Sequence, residues 1–156
     1  PRNRLLISGD ALWENGMGFV WPEEGVNPFI EAAREALATI ERLDPAVVIP
    51  GHGRPFADAS GSIANVRSRL EAFERDPAKC ARHVVKVMFV FALLERERMP
   101  FGDVEGYVAR MPCYRQLSDR FLGLDPAALA AFIVADLQRA GAIVVEGEVV
   151  RPTMPA

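Results

Sequence analysis

Two short apolar segments, each followed by glycine and a side chain that could bind a metal, most constrain how this chain can fold. Residues 4–8 run into Gly9 and Asp10, and residues 46–50 run into Gly51, His52 and Gly53. Short apolar runs that end at glycine are typical of buried strands. The sequence therefore predicts two strands, each delivering one functional side chain to its carboxyl end.

The segment between these strands has the pattern of an amphipathic helix. Asn27 and Pro28 form a helix start, because Asn caps helices well and Pro suits the first helical position. Apolar residues then recur at helical spacing and stop before Asp44 and Pro45. These apolar residues are Ile30, Ala33, Leu37 and Ile40. Strand, helix and strand in this order predict a layer of α/β structure.

Asp10 and His52 are expected to lie at the same sheet edge, because functional side chains collect at the carboxyl ends of neighbouring strands. A carboxylate and an imidazole are suitable ligands for zinc, iron or manganese. A lone Gly-Asp is nevertheless most often a turn, and a lone Gly-His-Gly is most often a loop. Spacing alone therefore leaves both a metal site and an ordinary pair of turns open.

The rest of the chain divides into a loop, a further helix and a second domain. Glycines and prolines within residues 11–27 predict an irregular surface loop. Ser60 or Ser62 is expected to open a helix, and Asp76 with Pro77 is expected to end it. We therefore predict one domain over residues 1–77 and another over residues 78–156.

The second domain is predicted to be mostly helical. Residues 80–99 should form a long helix with Val84, Val87, Phe91 and Leu94 on its buried face. Further helical segments are expected over residues 103–111, 114–122 and 126–140, and a hairpin around Gly147 over residues 142–146 and 148–151. Helices followed by a β-hairpin are the order of a winged helix.

Residues 5–13 and 43–56 resemble the last two metal-ligand segments of the metallo-β-lactamase superfamily. The resemblance implies that Asp10 bridges two metal ions and that His52 is a terminal ligand of the second. Residues 79–152 are similar to the winged-helix domain appended to one branch of that family. The implied fold is α/β, the C-terminal half of a metallo-β-lactamase αββα sandwich followed by a mostly helical winged-helix-like domain.

The sequence departs from the family pattern in its histidines. The signature His-x-His-x-Asp-His and a further ligand histidine, which precede the Gly-Asp segment in that family, are absent, and the chain has only His52 and His83. His83 is expected to be a packing residue. Since catalytic zinc usually has three protein ligands, this chain alone should be inactive and hold no metal stably.

The resemblance implies metal-assisted hydrolysis in a longer parent protein. Two divalent ions, expected to be zinc, would lower the pKa of a bound water, and the resulting hydroxide would attack a thioester, ester or related acyl substrate. The chain would be a C-terminal fragment that is completed by a missing N-terminal half or packs as a homo-oligomer. The alternative is a non-catalytic winged-helix module for binding or dimerisation.

Three aromatic residues follow Asp10 in the predicted loop. Trp13, Phe19 and Trp21 could line a substrate pocket, although aromatic residues in loops more often pin the loop to the body of a protein. Both roles stay open from the sequence.

Charge and hydropathy narrow the possible partners. The net charge of −3 gives no general attraction to nucleic acid or to an anionic membrane. The helix predicted for a DNA groove offers only Gln138 and Arg139, so nucleic acid is not an expected partner.

No apolar run is long enough to cross a membrane, and residues 1–4 lack the apolar core of a signal peptide, so a cytoplasmic location is expected. Cys80 and Cys113 are expected to be reduced thiols.

Overall fold

The computed structural model describes residues 4–153. These residues divide into two compact units, one ending at Cys80 and the other beginning at Ala81. The domain boundary predicted after residue 77 lies in the first turn of the helix that contains Cys80. Each unit has its own small sheet, so the described chain is of mixed α/β structure.

The first unit contains the strand–helix–strand sequence that the apolar pattern predicts. Its elements in chain order are β1 (Leu5–Gly9), α1 (Pro28–Leu43), β2 (Val47–Pro50) and α2 (Ala59–Arg75). Strands β1 and β2 pair in parallel, with Leu6 opposite Val48 and Ile7 opposite Ile49. The crossover through α1 makes this parallel pairing possible. Parallel strands need a long connection such as a helix, whereas a short hairpin joins only antiparallel strands.

The helices of this unit pack along the apolar stripes. α1 buries Ile30, Leu37 and Ile40, and α2 buries Ile63, Val66, Leu70 and Phe73. The two helices pack against each other and are joined by two bidentate ion pairs, Arg34 with Glu74 and Arg67 with Glu41. The guanidinium of Arg67 lowers the pKa of the Glu41 carboxyl, although both groups are largely exposed. Apolar burial therefore provides most of the stabilisation here, since exposed ion pairs contribute little.

Within the described residues, only one face of the β1–β2 sheet is covered. Side chains alternate between faces along a strand, and Val48 is fully buried on the covered face. On the opposite face Leu5 and Ile7 are 53% and 74% exposed, and Val47 is 37% exposed. The first unit thus carries an open apolar sheet face.

The irregular segment between β1 and α1 is confirmed as a loop, and buried anchors fix its course. Leu12 and Val20 are buried within it. Ser62 on α2 donates a hydrogen bond to the carbonyl of Glu14. Asn27 is 4% exposed; its side-chain amide donates to the Trp21 carbonyl, and its oxygen accepts from two backbone amides that begin α1. The loop is thereby tied to both helices.

The second unit begins within α3 and contains all of the later helices. Its elements are α3 (Pro77–Arg96), β3 (Met99–Pro100), a 3₁₀ turn (Phe101–Asp103), α4 (Val104–Arg110), α5 (Pro112–Leu117), a π-helical turn (Ser118–Leu122), α6 (Pro126–Arg139), β4 (Ile143–Glu146) and β5 (Val149–Pro152). The hairpin predicted around Gly147 is confirmed, and β3 adds to it in the antiparallel order β3–β5–β4.

Lys86 and Arg139 both donate to the carboxylate of Asp136, which lowers the pKa of that carboxyl.

Several sequence-based boundaries are wrong, and capping explains two of them. Helix α2 begins at Ala59 rather than at Ser60 or Ser62, because the Asp58 carboxylate accepts from the Gly61 amide as the N-cap. Helix α3 begins at Pro77 rather than at residue 80, because the Asp76 carboxylate accepts from the amide of Lys79. Pro112 starts α5 and does not merely divide two segments.

The predicted buried face of α3 is also partly wrong. Val84 is buried, but Phe91 is 46% exposed, and Phe89 is buried in its place with its ring 6.2 Å from that of Tyr107. Because α3 is apolar around most of its circumference in this region, spacing alone does not select the buried side.

No single helix among residues 4–153 is long and apolar enough to cross a membrane. One helical pair, residues 112–122 with 126–139, reaches that length and apolarity only jointly, and it is bent by 91°.

Replacing Asn27 with Ala should destabilise the first unit by about 2 kcal/mol, because one buried cap and a loop anchor are lost together. Trp13 and Trp21, the two tryptophans of the chain, both lie in this unit, so urea unfolding followed by tryptophan fluorescence reports on it. Asn15→Ala, at an exposed loop position, is the control and should change the unfolding free energy by less than about 0.5 kcal/mol. Equal stability of the two variants would contradict the anchoring role of Asn27.

Candidate functional site

Asp10 and His52 come together at the carboxyl end of the parallel strands. Asp10 directly follows β1, and His52 follows β2 after one glycine. The amide of Gly51 donates to the carbonyl of Gly9 at 2.8 Å, which continues the pairing beyond the strands. His52 Nε2 lies 3.7 Å from Asp10 Oδ1. The predicted placement of both residues at one sheet edge is thereby confirmed.

Glycines allow the close approach of the two strand ends. Gly9 has a φ of +54°, a conformation that L side chains rarely adopt, and the strand register shifts beside it. A Cβ atom on Gly51 would lie 2.8 Å from Asp10 Oδ1 and 3.1 Å from the Gly9 carbonyl carbon. A Cβ atom on Gly18 would lie 3.0 Å from the Asp10 Cβ. Asp10 therefore sits in a cradle formed by Gly18 and Gly51.

Gly51 and Gly53, which flank His52, have different roles. Gly53 has a φ of +94°, which suits a tight turn. Gly51 instead leaves room for the carboxylate of Asp10. The sequence did not predict that Gly51 and Gly18 lie against Asp10. The positions of glycines in a sequence do not indicate which of them faces a side chain from another segment.

Trp13 contacts both residues of the pair. Its indole N–H donates to Asp10 Oδ1 at 3.3 Å, at the long end of hydrogen-bond distances. Its ring lies 5.1 Å from the His52 ring at an angle of 81°, an edge-to-face arrangement. An antiparallel bridge between Trp13 and Gly16 holds the backbone of this tight loop.

The other two aromatic residues of the loop have different surroundings. Phe19 is 41% exposed. Trp21 is half-buried, and its carbonyl accepts from the Asn27 side chain. The pocket-lining role of the three aromatic residues stays a prediction, and the contacts described above concern Trp13.

The side chains of Asp10 and His52 are open to solvent. They are 65% and 64% exposed, respectively. Donor atoms that share a tetrahedral zinc ion at 2.0–2.2 Å lie about 3.3–3.6 Å apart, so a small side-chain adjustment from 3.7 Å would let both contact one ion. The pair therefore fits two ligand positions of a metal site.

A complete metal site needs more donors than this pair. Within residues 4–153, no group of three or more His, Cys, Asp or Glu side chains is placed to hold a metal ion. Cys80 is a free thiol that donates to the Val20 carbonyl, and burial raises its pKa to about 12. Cys80 is 1% exposed and is therefore a packing residue of the first unit. Cys113 is also a free thiol in this structure.

A comparison with family models agrees with the sequence resemblance over the first part of the chain. Residues 1–52 match the family model described as the metallo-beta-lactamase superfamily. No curated protein shows significant similarity to the chain. Among solved structures, a metallo-beta-lactamase family protein from Thermus thermophilus is 21% identical, with a TM-score of 0.28. That alignment covers 96% of this chain but only 42% of the Thermus protein.

Replacing Gly51 with Ala should disturb Asp10 and destabilise the first unit by about 1–3 kcal/mol, because the new methyl group meets a carboxylate and backbone atoms. Gly16→Ala is the matched control, since its methyl group would meet only the flexible end of Arg69. Urea unfolding and the Asp10 resonances in heteronuclear NMR spectra would report both effects. A Gly51→Ala chain with unchanged stability and Asp10 resonances would argue against the cradle.

Proposed function

We propose that this chain, whose residues 1–52 match the metallo-beta-lactamase superfamily model, is the C-terminal part of a metal-dependent hydrolase of that superfamily. In this proposal Asp10 and His52 would hold the divalent ions, Asp10 as the ligand shared by two ions and His52 as a terminal ligand of one of them. The observation that carries the proposal is the convergence of the two side chains, with Nε2 and Oδ1 3.7 Å apart at one sheet edge.

The remaining ligands are proposed to come from an upstream half of the same protein. The chain contains two histidines, too few for two hydrolytic metal centres. The open, solvent-exposed side of the Asp10–His52 pair leaves space for further donors. Alone, the chain is proposed to bind zinc only weakly and to be inactive.

When bound, divalent ions of this kind acidify water and stabilise the oxyanion that forms on an acyl substrate. The protein residues have separate roles. Asp10 would contribute negative charge toward the cations, and His52 would contribute an imidazole nitrogen donor. A thioester, ester or related acyl compound is the proposed substrate class, and zinc is the proposed metal. A cytoplasmic location is proposed with it.

The open sheet face supports the same proposal. Leu5, Ile7 and Val47 form an exposed apolar surface on a two-stranded sheet, and monomeric proteins rarely leave such a surface uncovered. We propose that the upstream half covers it in the parent protein. In the chain alone, a second copy would take that place.

The second unit is proposed to be a winged-helix-like packing domain rather than a reader of nucleic acid. The hairpin β4–β5 follows the helices in the order of a winged helix. Arg139, the basic residue of α6, is paired with Asp136, which also accepts from Lys86. This helix therefore offers little free positive charge to a phosphate backbone. A non-catalytic dimerisation module remains the second candidate, favoured by the open sheet face.

The natural gene product is expected to be much heavier than 17.1 kDa and to contain zinc. An immunoblot of source cells would give its mass, and elemental analysis of the purified protein would give its metal content. In that protein Asp10→Asn and His52→Gln should each lower metal content and reduce hydrolysis of acyl esters by at least about a hundredfold. Asp44→Asn and His83→Gln are the controls and should retain both properties. A product of 17.1 kDa, or metal content unaffected at Asp10 and His52, would refute the hydrolase proposal.

The chain alone is expected to self-associate and to bind a hydrophobic dye through its open sheet face. Ile7→Lys should reduce both, since it places a charge at the most exposed position of that face, 74% exposed. Val26→Lys is the control, because Val26 is 85% exposed but lies in the loop outside the sheet. Sedimentation velocity and dye fluorescence would measure the two effects. A monomeric chain that binds no dye and unfolds in one sharp transition would speak against a missing cover.

A further inference from the structure

We infer that Trp13 is a positioning residue that holds the carboxylate of Asp10 and the imidazole of His52 in the arrangement needed to share a metal ion. The inference rests on the proposed function, since it concerns the same two residues. This role differs from lining a substrate pocket, because Trp13 contacts the two proposed metal ligands rather than a substrate.

Two different contacts connect Trp13 to the pair. The indole N–H donates to Asp10 Oδ1 at 3.3 Å, and Oδ1 is also the oxygen that lies 3.7 Å from His52 Nε2. The aromatic ring meets the imidazole edge-to-face at 5.1 Å. One side chain therefore limits the rotation of both Asp10 and His52.

The pair needs such a restraint, because little else surrounds its outer side. The side chains of Asp10 and His52 are about two-thirds exposed, at 65% and 64%. Exposed side chains exchange between rotamers rapidly, and ordering them on metal binding costs conformational entropy. Gly18 and Gly51 restrict Asp10 from the backbone side, whereas His52 has no comparable cradle among residues 4–153 in which a glycine approaches it.

Trp13 is itself held firmly enough to act in this way. Its amide donates to the Gly16 carbonyl at 2.7 Å in a tight loop. The next residue, Glu14, has its carbonyl bound by Ser62, which is buried on α2. The preceding residue, Leu12, is completely buried. The backbone that carries the indole is therefore fixed to the core of the first unit.

The remaining acceptor capacity of Asp10 is consistent with a bridging role. A carboxylate has two oxygens and about four acceptor positions, and the indole occupies one of them on Oδ1. Hydrogen bonds to a ligating carboxylate orient it and tune its affinity for a metal. Trp13 therefore leaves Asp10 able to contact metal ions while its orientation is restricted.

The test uses NMR on the 156-residue chain with two substitutions. Trp13→Phe removes the indole N–H but keeps an aromatic edge, and Trp13→Leu removes both. Trp21→Phe, in the same loop, is the matched control. The χ1 couplings of Asp10 and His52 should indicate one rotamer each in the unchanged chain and in the control. Averaged couplings are expected for Asp10 in Trp13→Phe and for both residues in Trp13→Leu.

Zinc titration of the same samples to millimolar concentration completes the test. In the unchanged chain zinc should shift the Asp10 and His52 resonances, and Trp13→Leu should weaken this binding by about tenfold. Thermal unfolding shows whether the variants are folded. If Trp13→Leu is unfolded, the couplings and zinc affinity of Trp13→Phe provide the test. Unchanged couplings, or zinc affinity within about twofold of the original, would overturn the positioning role alone. If zinc leaves Asp10 and His52 unshifted in the unchanged chain, the ligand assignment fails, and the positioning role fails with it.

Discussion

The parallel pairing of β1 with β2 is the constraint on which the candidate site depends. It places the carboxyl ends of both strands at one edge, and the hydrogen bond from the Gly51 amide to the Gly9 carbonyl extends the pairing to the residues beside Asp10 and His52. A register slip of one residue would turn every strand side chain to the other face. The buried position of Val48 opposes such a slip, since it would expose an apolar side chain.

The loop after Asp10 is equally important, because it has no regular structure to fix its course. Its position depends on two buried polar side chains. Asn27 holds the end of the loop, and Ser62 on α2 holds its middle through the Glu14 carbonyl. A buried polar group that loses its partner costs more free energy than an exposed one, so these contacts define the loop closely. Trp13 consequently reaches Asp10 and His52 from a rigid base, although its own ring is partly exposed.

Two features of the first unit are compatible with the proposal that an upstream half covers it. Asp10 and His52 are exposed on the side where further ligands would stand, and the sheet beside them leaves Leu5 and Ile7 uncovered. Both would be resolved by the same cover, an upstream layer that buries the apolar face and brings additional donor side chains. The mixed α/β layer, the metallo-beta-lactamase match and the paucity of histidines are all compatible with this single proposal.

Much of this arrangement could be predicted from the sequence, because local chemistry determined it. The apolar runs specified both strands, Asn27 with Pro28 specified the start of α1, and Gly147 specified the hairpin, each through propensities that act over a few residues. The α/β order also placed Asp10 and His52 at one edge. The sequence could not indicate that Gly51 faces Asp10, that the indole of Trp13 bonds the carboxylate, or that Phe89 rather than Phe91 is buried. These contacts join segments distant in sequence or depend on which side of an apolar helix is covered, and only tertiary packing decides them.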